Sequence, residues 1–470
     1  MSDAPTAPGS AGSLAGLPLL RGERVWGFWG FTSVNVGLAI ATWAFLTGGS
    51  VALFVGAKAA VAVTVVGNLV GVVLVALTTC VPSAKYGVEQ FGALRSVFGR
   101  NGVRILLLVL MPFLLATWNA ILAIMFGRAL ANVSNAVLGT DLREDSPVVI
   151  GFCLLALVAC WLLLLRGPLS LSRVNGLIAP ALAVVTLVML VVILRERGPA
   201  ELAALTPLDP TDDPLLSYTT ALEVCLGAGF SWWAITGNLA RLTTTARVAY
   251  WPNLIGLFGA STVAGLVGTL AALAFGSSDP TTWMVPVGGV ALGALALLFI
   301  AFANITSIMG QTYSGALAVQ RLHGTIAHLP WPVLAALLLL PATVMVFFPG
   351  GVYELFFRFL ALVALIVAPL CAVYFADFYL LRRRTLHLRD LYTDDAESRY
   401  GFWRGVNPAA FVAVAAGAGT YLLLLNPVTY ASSPLFPYLT ASLPAFAVTA
   451  AAHVVITKTI VRPLNRGGYR

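Results

Sequence analysis

Along the chain, long apolar runs alternate with short stretches that collect most of the charge. Twelve runs stand out, over residues 26–54, 59–81, 105–133, 148–165, 175–194, 217–240, 251–275, 287–319, 331–348, 352–381, 408–425 and 439–459. Each reaches the roughly 18–20 residues that an α-helix needs to cross the hydrocarbon of a bilayer. Short strands of alternating polarity, the mark of a membrane barrel, are not the pattern here. Lipid offers backbone amides no partner, so each run must satisfy its own by coiling. The pattern therefore predicts an all-α membrane protein with twelve transmembrane helices.

Two runs carry polar and small residues where a simple anchor has no use for them. The first contains Ser33, Asn35, Gly37 and Thr42, then Gly48 and Gly49; the sixth contains Gly227, Gly229 and Ser231, then Thr236, Gly237 and Asn238. Glycine and short polar residues weaken a helix locally, so both segments are expected to be discontinuous. One opens a set of five segments and the other opens the next five. A five-helix unit repeated once must return upside down, the arrangement in which broken helices offer backbone groups to substrate and ion at mid-membrane. The expected division is a disordered cytoplasmic tail over 1–20 and a first repeat over 21–196. A second repeat over 215–384, a cytoplasmic loop over 385–407 and two further helices with a tail over 408–470 complete it. The competing reading is that the glycines only let helices pack closely.

Composition agrees: 59% of the 470 residues are hydrophobic and 10% charged, against roughly 45–50% and 25% in soluble domains. The mean hydropathy is +0.91. The net charge of +8 sorts by side. Arg21, Arg24, Lys85, Arg95, Arg100, Arg104, Arg166, Arg173, Arg241, Arg247 and Arg321 fall on one face with Arg382, Arg383, Arg384, Arg389, Arg399, Arg404, Lys458, Arg462, Arg466 and Arg470. The other face holds Lys58, Arg143, Arg195 and Arg197 among acids such as Asp141, Glu144 and Asp213. The basic side is cytoplasmic by the positive-inside rule, which puts both termini in the cytoplasm of a multi-pass plasma (inner) membrane protein. Topology thus accounts for the charge, and no nucleic-acid partner is needed. Cys80, Cys153, Cys160, Cys225 and Cys371 lack paired spacing, and His323, His328, His387 and His453 suggest no transition-metal site. With no phosphate-binding glycine loop and no hydrolytic triad, an enzyme or an ATP-driven pump is disfavoured.

Four stretches resemble the nucleobase–cation symporters, the family of cytosine, purine and allantoin permeases and hydantoin transporters. They are Lys85-Tyr86-Gly87-Val88 with Arg95-Ser96-Val97-Phe98-Gly99-Arg100-Asn101-Gly102; Trp118; Ala376-Asp377-Phe378-Tyr379-Leu380-Leu381-Arg382-Arg383, with Phe378 the one departure; and Gly405-Val406-Asn407-Pro408. The resemblance implies a leucine-transporter-type fold: two inverted five-helix repeats plus two peripheral helices. It also implies import of a nucleobase or related small heterocycle with Na⁺ or H⁺. Hydantoin-type members carry glutamine one turn after the tryptophan, where this chain has Leu122.

A flat heterocycle is held by aromatic faces and read at its edge by a few hydrogen bonds. Trp118, about thirteen residues into its segment and too deep for an interfacial belt, and Trp232 are the expected pair, with Trp233 the alternative one register along. Asn35, Asn119, Ser231, Asn304 and Gln311 are the expected edge readers. In the eighth segment Ala303, Thr306 and Ser307 match the carbonyl-and-two-hydroxyls pattern that holds Na⁺ in this fold. The carbonyls of Gly37 and Ile40 at the first break are expected to complete the oxygen set. Hydroxyls in membrane helices also bond back to their own backbone. Proton coupling is the rival, but it needs a titratable group on the pathway. Glu223 and Asp377 are expected near the interfaces, and Arg128 and Arg358 are expected to snorkel. A monomer with Na⁺ as coupling ion is the resulting expectation; the alternatives are H⁺ coupling, a passive facilitator and a non-transporting receptor.

Overall fold

The computed structural model describes residues 17–165, 168–320, 326, 328–393 and 398–469, with the side chains of 168–170 and 352–354 outside that description. Arg166, His323, Arg321, Arg470 and the tail through residue 16 lie outside the described residues. Fourteen helices position the site: α1 Phe28–Ala39, α2 Thr42–Phe54, α3 Ala57–Tyr86, α4 Arg100–Leu138, α5 Pro147–Leu164, α6 Pro168–Arg197, α7 Pro214–Ser231, α8 Trp233–Ala240, α9 Ala246–Phe275, α10 Pro280–Val319, α11 Trp331–Met345, α12 Phe356–Leu381, α13 Pro408–Leu424 and α14 Ser442–Val461. All twelve apolar segments are helical. Eight of these helices are long and apolar enough to cross a membrane, and a ninth crossing forms if α1 and α2, bent by 52°, count as one span. The helix α10 begins earlier than its apolar pattern because a short turn from Pro280 joins it across Gly289, whose φ of 67° breaks the helical path.

Helices start where the local chemistry dictates. The Ser146 hydroxyl accepts the Val149 N–H ahead of α5, and the Asp213 and Asp279 carboxylates accept the Leu215 and Thr281 N–H groups ahead of α7 and α10. A proline follows each of these three caps, where its missing N–H costs nothing.

The packing is layered. The helix α2 lies on α9, α3 on α7, and α4 on α10, with α5 beside α4 and α1 against α6; α13 and α14 pack on each other and on α12. Glycines permit the closest crossings. A Cβ on Gly229 would sit 2.8 Å from the Gly71 Cα, and one on Gly227 would sit 2.6 Å from the Leu360 carbonyl oxygen. Small residues thus bring α7 into backbone contact with α3 and α12.

One end of the molecule gathers the basic loops. Lys85 Nζ and the Tyr86 hydroxyl donate to the Arg384 carbonyl at 2.7 and 2.9 Å, Arg95 donates to the Leu391 carbonyl, and Arg466 donates to that of Phe402. The chain's start joins them, since the Leu19 N–H donates to the Gly87 carbonyl at 2.8 Å and Leu19 is buried. The packed chain therefore begins by residue 17, inside the span 1–20 expected as a free tail.

Candidate functional site: a broken helix beside three tryptophans

The first segment breaks as expected. Ile40 and Ala41 leave helical geometry (φ/ψ −91/78 and −129/171), which releases the backbone groups that the next turn would have paired. Partners on α10 meet two of them. The Thr42 N–H donates to the Asn304 side-chain oxygen at 3.2 Å, and Asn304 Nδ2 returns a bond to the Thr42 hydroxyl at 2.9 Å. The Leu38 carbonyl accepts from the Ser307 hydroxyl and from Trp43 Nε1, both at 3.3 Å.

The sixth segment corrects the expectation of a matching break. Between α7 and α8 only Trp232 interrupts the helix, and its φ/ψ of −65/−17 remain in the right-handed helical region. The Gly227–Gly229 stretch is continuous helix because its glycines serve packing rather than unwinding.

On α10 the Thr306 and Ser307 hydroxyls both donate to the Ala303 carbonyl, at 2.9 and 3.2 Å. With the Leu38 carbonyl this makes a cluster of four oxygens spanning α1 and α10. Leu38 is the carbonyl of the first segment that Ser307 touches, in place of Gly37 or Ile40. Gly37 instead abuts α6, where an added Cβ would lie 3.1 Å from the Asn175 Cβ. The Ile40 carbonyl belongs to the break itself, and neither the Thr306 nor the Ser307 hydroxyl bonds to it.

Beside this cluster lies a cavity lined by Leu38, Trp43, Trp118, Leu122, Ser231, Trp232, Ile235, Ser307 and Gln311. Of the expected substrate contacts it gathers Trp118, Trp232, Ser231 and Gln311. Trp118 follows a widened, π-type turn over Met111–Ala116 that contains Pro112, a common way to re-aim the next residues of a helix. Phe356 and Phe359 of α12 stand edge-on to it, 5.9 and 5.4 Å away between ring centres. The indole N–H groups of Trp118 and Trp232 and the Gln311 Oε1 are buried without a hydrogen-bond partner. The Ser231 hydroxyl bonds back to the Ala228 carbonyl at 2.6 Å. Trp233 turns away and packs on Phe91, which places the register on Trp232.

Three expected edge readers lie elsewhere. Asn304 holds the break, Asn119 donates to the Thr312 hydroxyl at 3.3 Å, and Asn35 is pressed against Gly256 of α9 with both amide atoms unpaired. Trp43, which the sequence reading passed over, stands at the centre instead. Seventeen residues into the 26–54 run, it lies as far from an interfacial belt as Trp118 does.

The two acids and Arg128 also sit differently from expectation, whereas Arg358 is exposed. Glu223 and Asp377 are fully buried. Glu223 accepts from the Ala441 and Ser442 N–H groups and the Ser442 hydroxyl at the start of α14. Asp377 accepts from Arg382 Nε and the Tyr469 hydroxyl, each at 2.6 Å, and lies 3.5 Å from His453 Nε2. A buried charge needs such partners, and neither carboxylate borders the central cavity. Arg128 is buried rather than snorkelling, paired with Glu144 and lying 3.6 Å from Asp279. A larger cavity of about 630 Å³ opens among Arg95, Arg100, Asp390, Arg404 and Arg466 at the basic end. It holds none of the aromatic or oxygen groups above.

A family model described as permease for cytosine/purines, uracil, thiamine and allantoin matches residues 18–443. A purine–uracil permease of Arabidopsis thaliana is 25% identical over 430 residues, covering 85% of this chain and 69% of its own. Among solved structures, a nucleobase–cation symport transporter in a closed conformation with bromovinylhydantoin bound superposes with a TM-score of 0.79, 16% identity and 96% coverage of both chains. A Na⁺-coupled sialic acid symporter in its outward-open state gives a TM-score of 0.61 at 12% identity, covering 93% of this chain and 91% of its own. These two share the fold, which is the leucine-transporter type.

Proposed function

Because the chain belongs to the family of permeases for cytosine/purines, uracil, thiamine and allantoin, whose members are membrane transporters and not enzymes, we propose that it imports a nucleobase or related small heterocycle by Na⁺ symport with alternating access. The carrying observation is the central cavity. Two buried indole N–H donors and one amide oxygen, all unpaired, surround a space beside the four-oxygen cluster of Leu38, Ala303, Thr306 and Ser307. Leaving such groups unpaired costs about 1–3 kcal/mol each, and a heterocycle with ring acceptors and a donor edge would recover it. Hard oxygens without a thiol or imidazole suit an alkali cation. The two carboxylates that would serve proton coupling are committed to arginine, tyrosine and helix-end partners away from this space.

Two halves, 21–196 and 215–384, are proposed as the inverted repeats. Their support is that each half's opening helix packs on the other half's next long helix, α1 on α9 and α7 on α3, pairings that exchange with one another when the halves are exchanged. Both termini are proposed to be cytoplasmic, on the charge sorting above.

The test is uptake of radiolabelled cytosine, uracil, hypoxanthine and allantoin into proteoliposomes with an inward Na⁺ gradient, an inward proton gradient, or neither. Accumulation driven by Na⁺ supports the proposal. Accumulation driven by protons alone moves the coupling to H⁺, and equilibration without accumulation makes the protein a facilitator.

A further inference from the structure

The indole of Trp43 occupies the middle of the aromatic cluster, 5.8 Å from the ring centre of Trp118 and 5.2 Å from that of Trp232. It stands edge-on to both at 81° and 77°. The space left among the three rings is about 20 Å³, enough for one water-sized sphere and far too little for a heterocycle. A substrate that lies against Trp118 and Trp232 must therefore displace a ring.

Trp43 is the ring built to move. Trp118 is braced from behind by Phe356 and Phe359 within a continuous helix. Trp43 instead stands two residues beyond the backbone break. Its other side borders a second small cavity, about 10 Å³, whose walls include Gly48, Ala228 and Gly265. Gly48 and Gly265 lie backbone against backbone there, so the indole gains its space as α2 and α9 part. The hydrogen bonding separates the three rings as well. The N–H groups of Trp118 and Trp232 are unpaired, ready for a ligand, whereas that of Trp43 is spent on the Leu38 carbonyl.

That carbonyl is also the first-segment oxygen of the proposed cation cluster. It has two lone pairs, and Ser307 and Trp43 take both. A cation ligated there must claim one of them, and its charge repels the positive end of the N–H dipole that shares the oxygen. Trp43 is the donor that can leave, because Ser307 can serve the cation with its own lone pairs.

Resting on the site assignment above, we infer that Trp43 is a latch: without a cation its indole fills the heterocycle's place, and cation binding at the Leu38 carbonyl frees it. By reciprocity, a heterocycle that keeps Trp43 off Leu38 strengthens cation binding by the same factor. Trp43 thus acts as a positioning residue that couples the two ligands.

The test uses the full chain carrying Ser231→Cys, a cavity-lining position, reacted with a membrane-permeant thiol reagent. Its rate is taken above the background of the five native cysteines, in NaCl and in choline chloride. With Trp43 present, Na⁺ should accelerate labelling. Trp43→Phe keeps an aromatic ring and removes the N–H, so labelling should be fast in both salts; Trp43→Tyr supplies a second ring without that donor should the first fold poorly. Heterocycle binding should follow: Na⁺ should tighten it by a factor within the roughly 5–150-fold range of allosteric couplings in the parent, and by less than about twofold in Trp43→Phe. A Na⁺ effect of equal size in parent and variant, or none in either, overturns the latch. Trp118→Ala separates the two ideas. If it binds heterocycle like the parent, the site assignment itself is wrong; if it loses binding while Trp43→Phe keeps the full Na⁺ effect, only the latch falls.

Discussion

Ser307 stands where several demands meet. Its hydroxyl reaches the Leu38 carbonyl on α1 and the Ala303 carbonyl on its own helix, so the same atom joins the broken segment to α10 and faces the cavity. Thr306 spends its hydroxyl on Ala303, and both side chains are buried. Replacing Thr306 and Ser307 together with alanine leaves the helix backbone intact but removes two of four candidate ligands. The expected outcome is loss of Na⁺ stimulation of uptake with residual, Na⁺-independent exchange retained; an unaltered Na⁺ dependence would remove the cation from this cluster. At this scale the sequence, by depth and type, picked out Trp118, Trp232 and Ser307, which the structure gathers at one cavity, and Thr306 beside them. It spoke poorly for the asparagines. Asn35, Asn119 and Asn304 have the right chemistry for an edge reader, but whether an amide points to a cavity or to a neighbouring helix depends on rotation about the helix axis. Sequence spacing leaves that rotation open until neighbours are known.

The two glycine-bearing segments look alike as strings and differ as helices. In the first, the break is held open because Asn304 takes the Thr42 N–H and Ser307 and Trp43 take the Leu38 carbonyl, so the interruption is supplied with partners from outside. In the sixth, the glycines sit in continuous helix and lie against backbone: Gly229 on Gly71, Gly227 on Leu360. The sign of one substitution separates the two roles. Alanine is the better helix former by about 1 kcal/mol, so Gly229→Ala would stabilise the protein if the glycine only weakened α7. A methyl 2.8 Å from the Gly71 Cα and 3.2 Å from the Asn68 carbonyl must push α3 and α7 apart, at a cost typically about 1–3 kcal/mol. Thermal unfolding of the purified variant in detergent should therefore show a lower midpoint than the parent. A raised midpoint would return the glycines to a hinge role. Helix positions were readable because twenty apolar residues in a row have few alternatives; the difference between hinge and packing glycine was not, because it lies in the partner helix.

Over the whole molecule the arrangement combines a closed centre with well-tied ends. Glu223 fastens α7 to the start of α14, and the Asp377–Arg382 pair joins α12 to the loop after α3 through the Ser96 carbonyl. The Arg382 guanidinium lies 4.1 Å from the Tyr469 ring centre and 4.9 Å from that of Tyr400. Burial holds the Tyr469 phenol well above its ordinary pKa, so it stays a donor to Asp377 through the physiological range. The chain's beginning, the loops after α3 and α12 and the C-terminal tail all meet at that end. Twelve crossings, the proposed count, and the clustering of lysine and arginine together predict one orientation with both ends inside, because the translocation of basic loops is disfavoured. Single cysteines placed at Ser13 and Gly468 in a background lacking the native five should therefore both resist a membrane-impermeant thiol reagent in intact cells and both react after permeabilisation. Labelling of either one in intact cells would mean an odd number of crossings or an inverted insertion. An odd number would require α11 or α13, the two short apolar helices Trp331–Met345 and Pro408–Leu424, to lie against the bilayer rather than cross it.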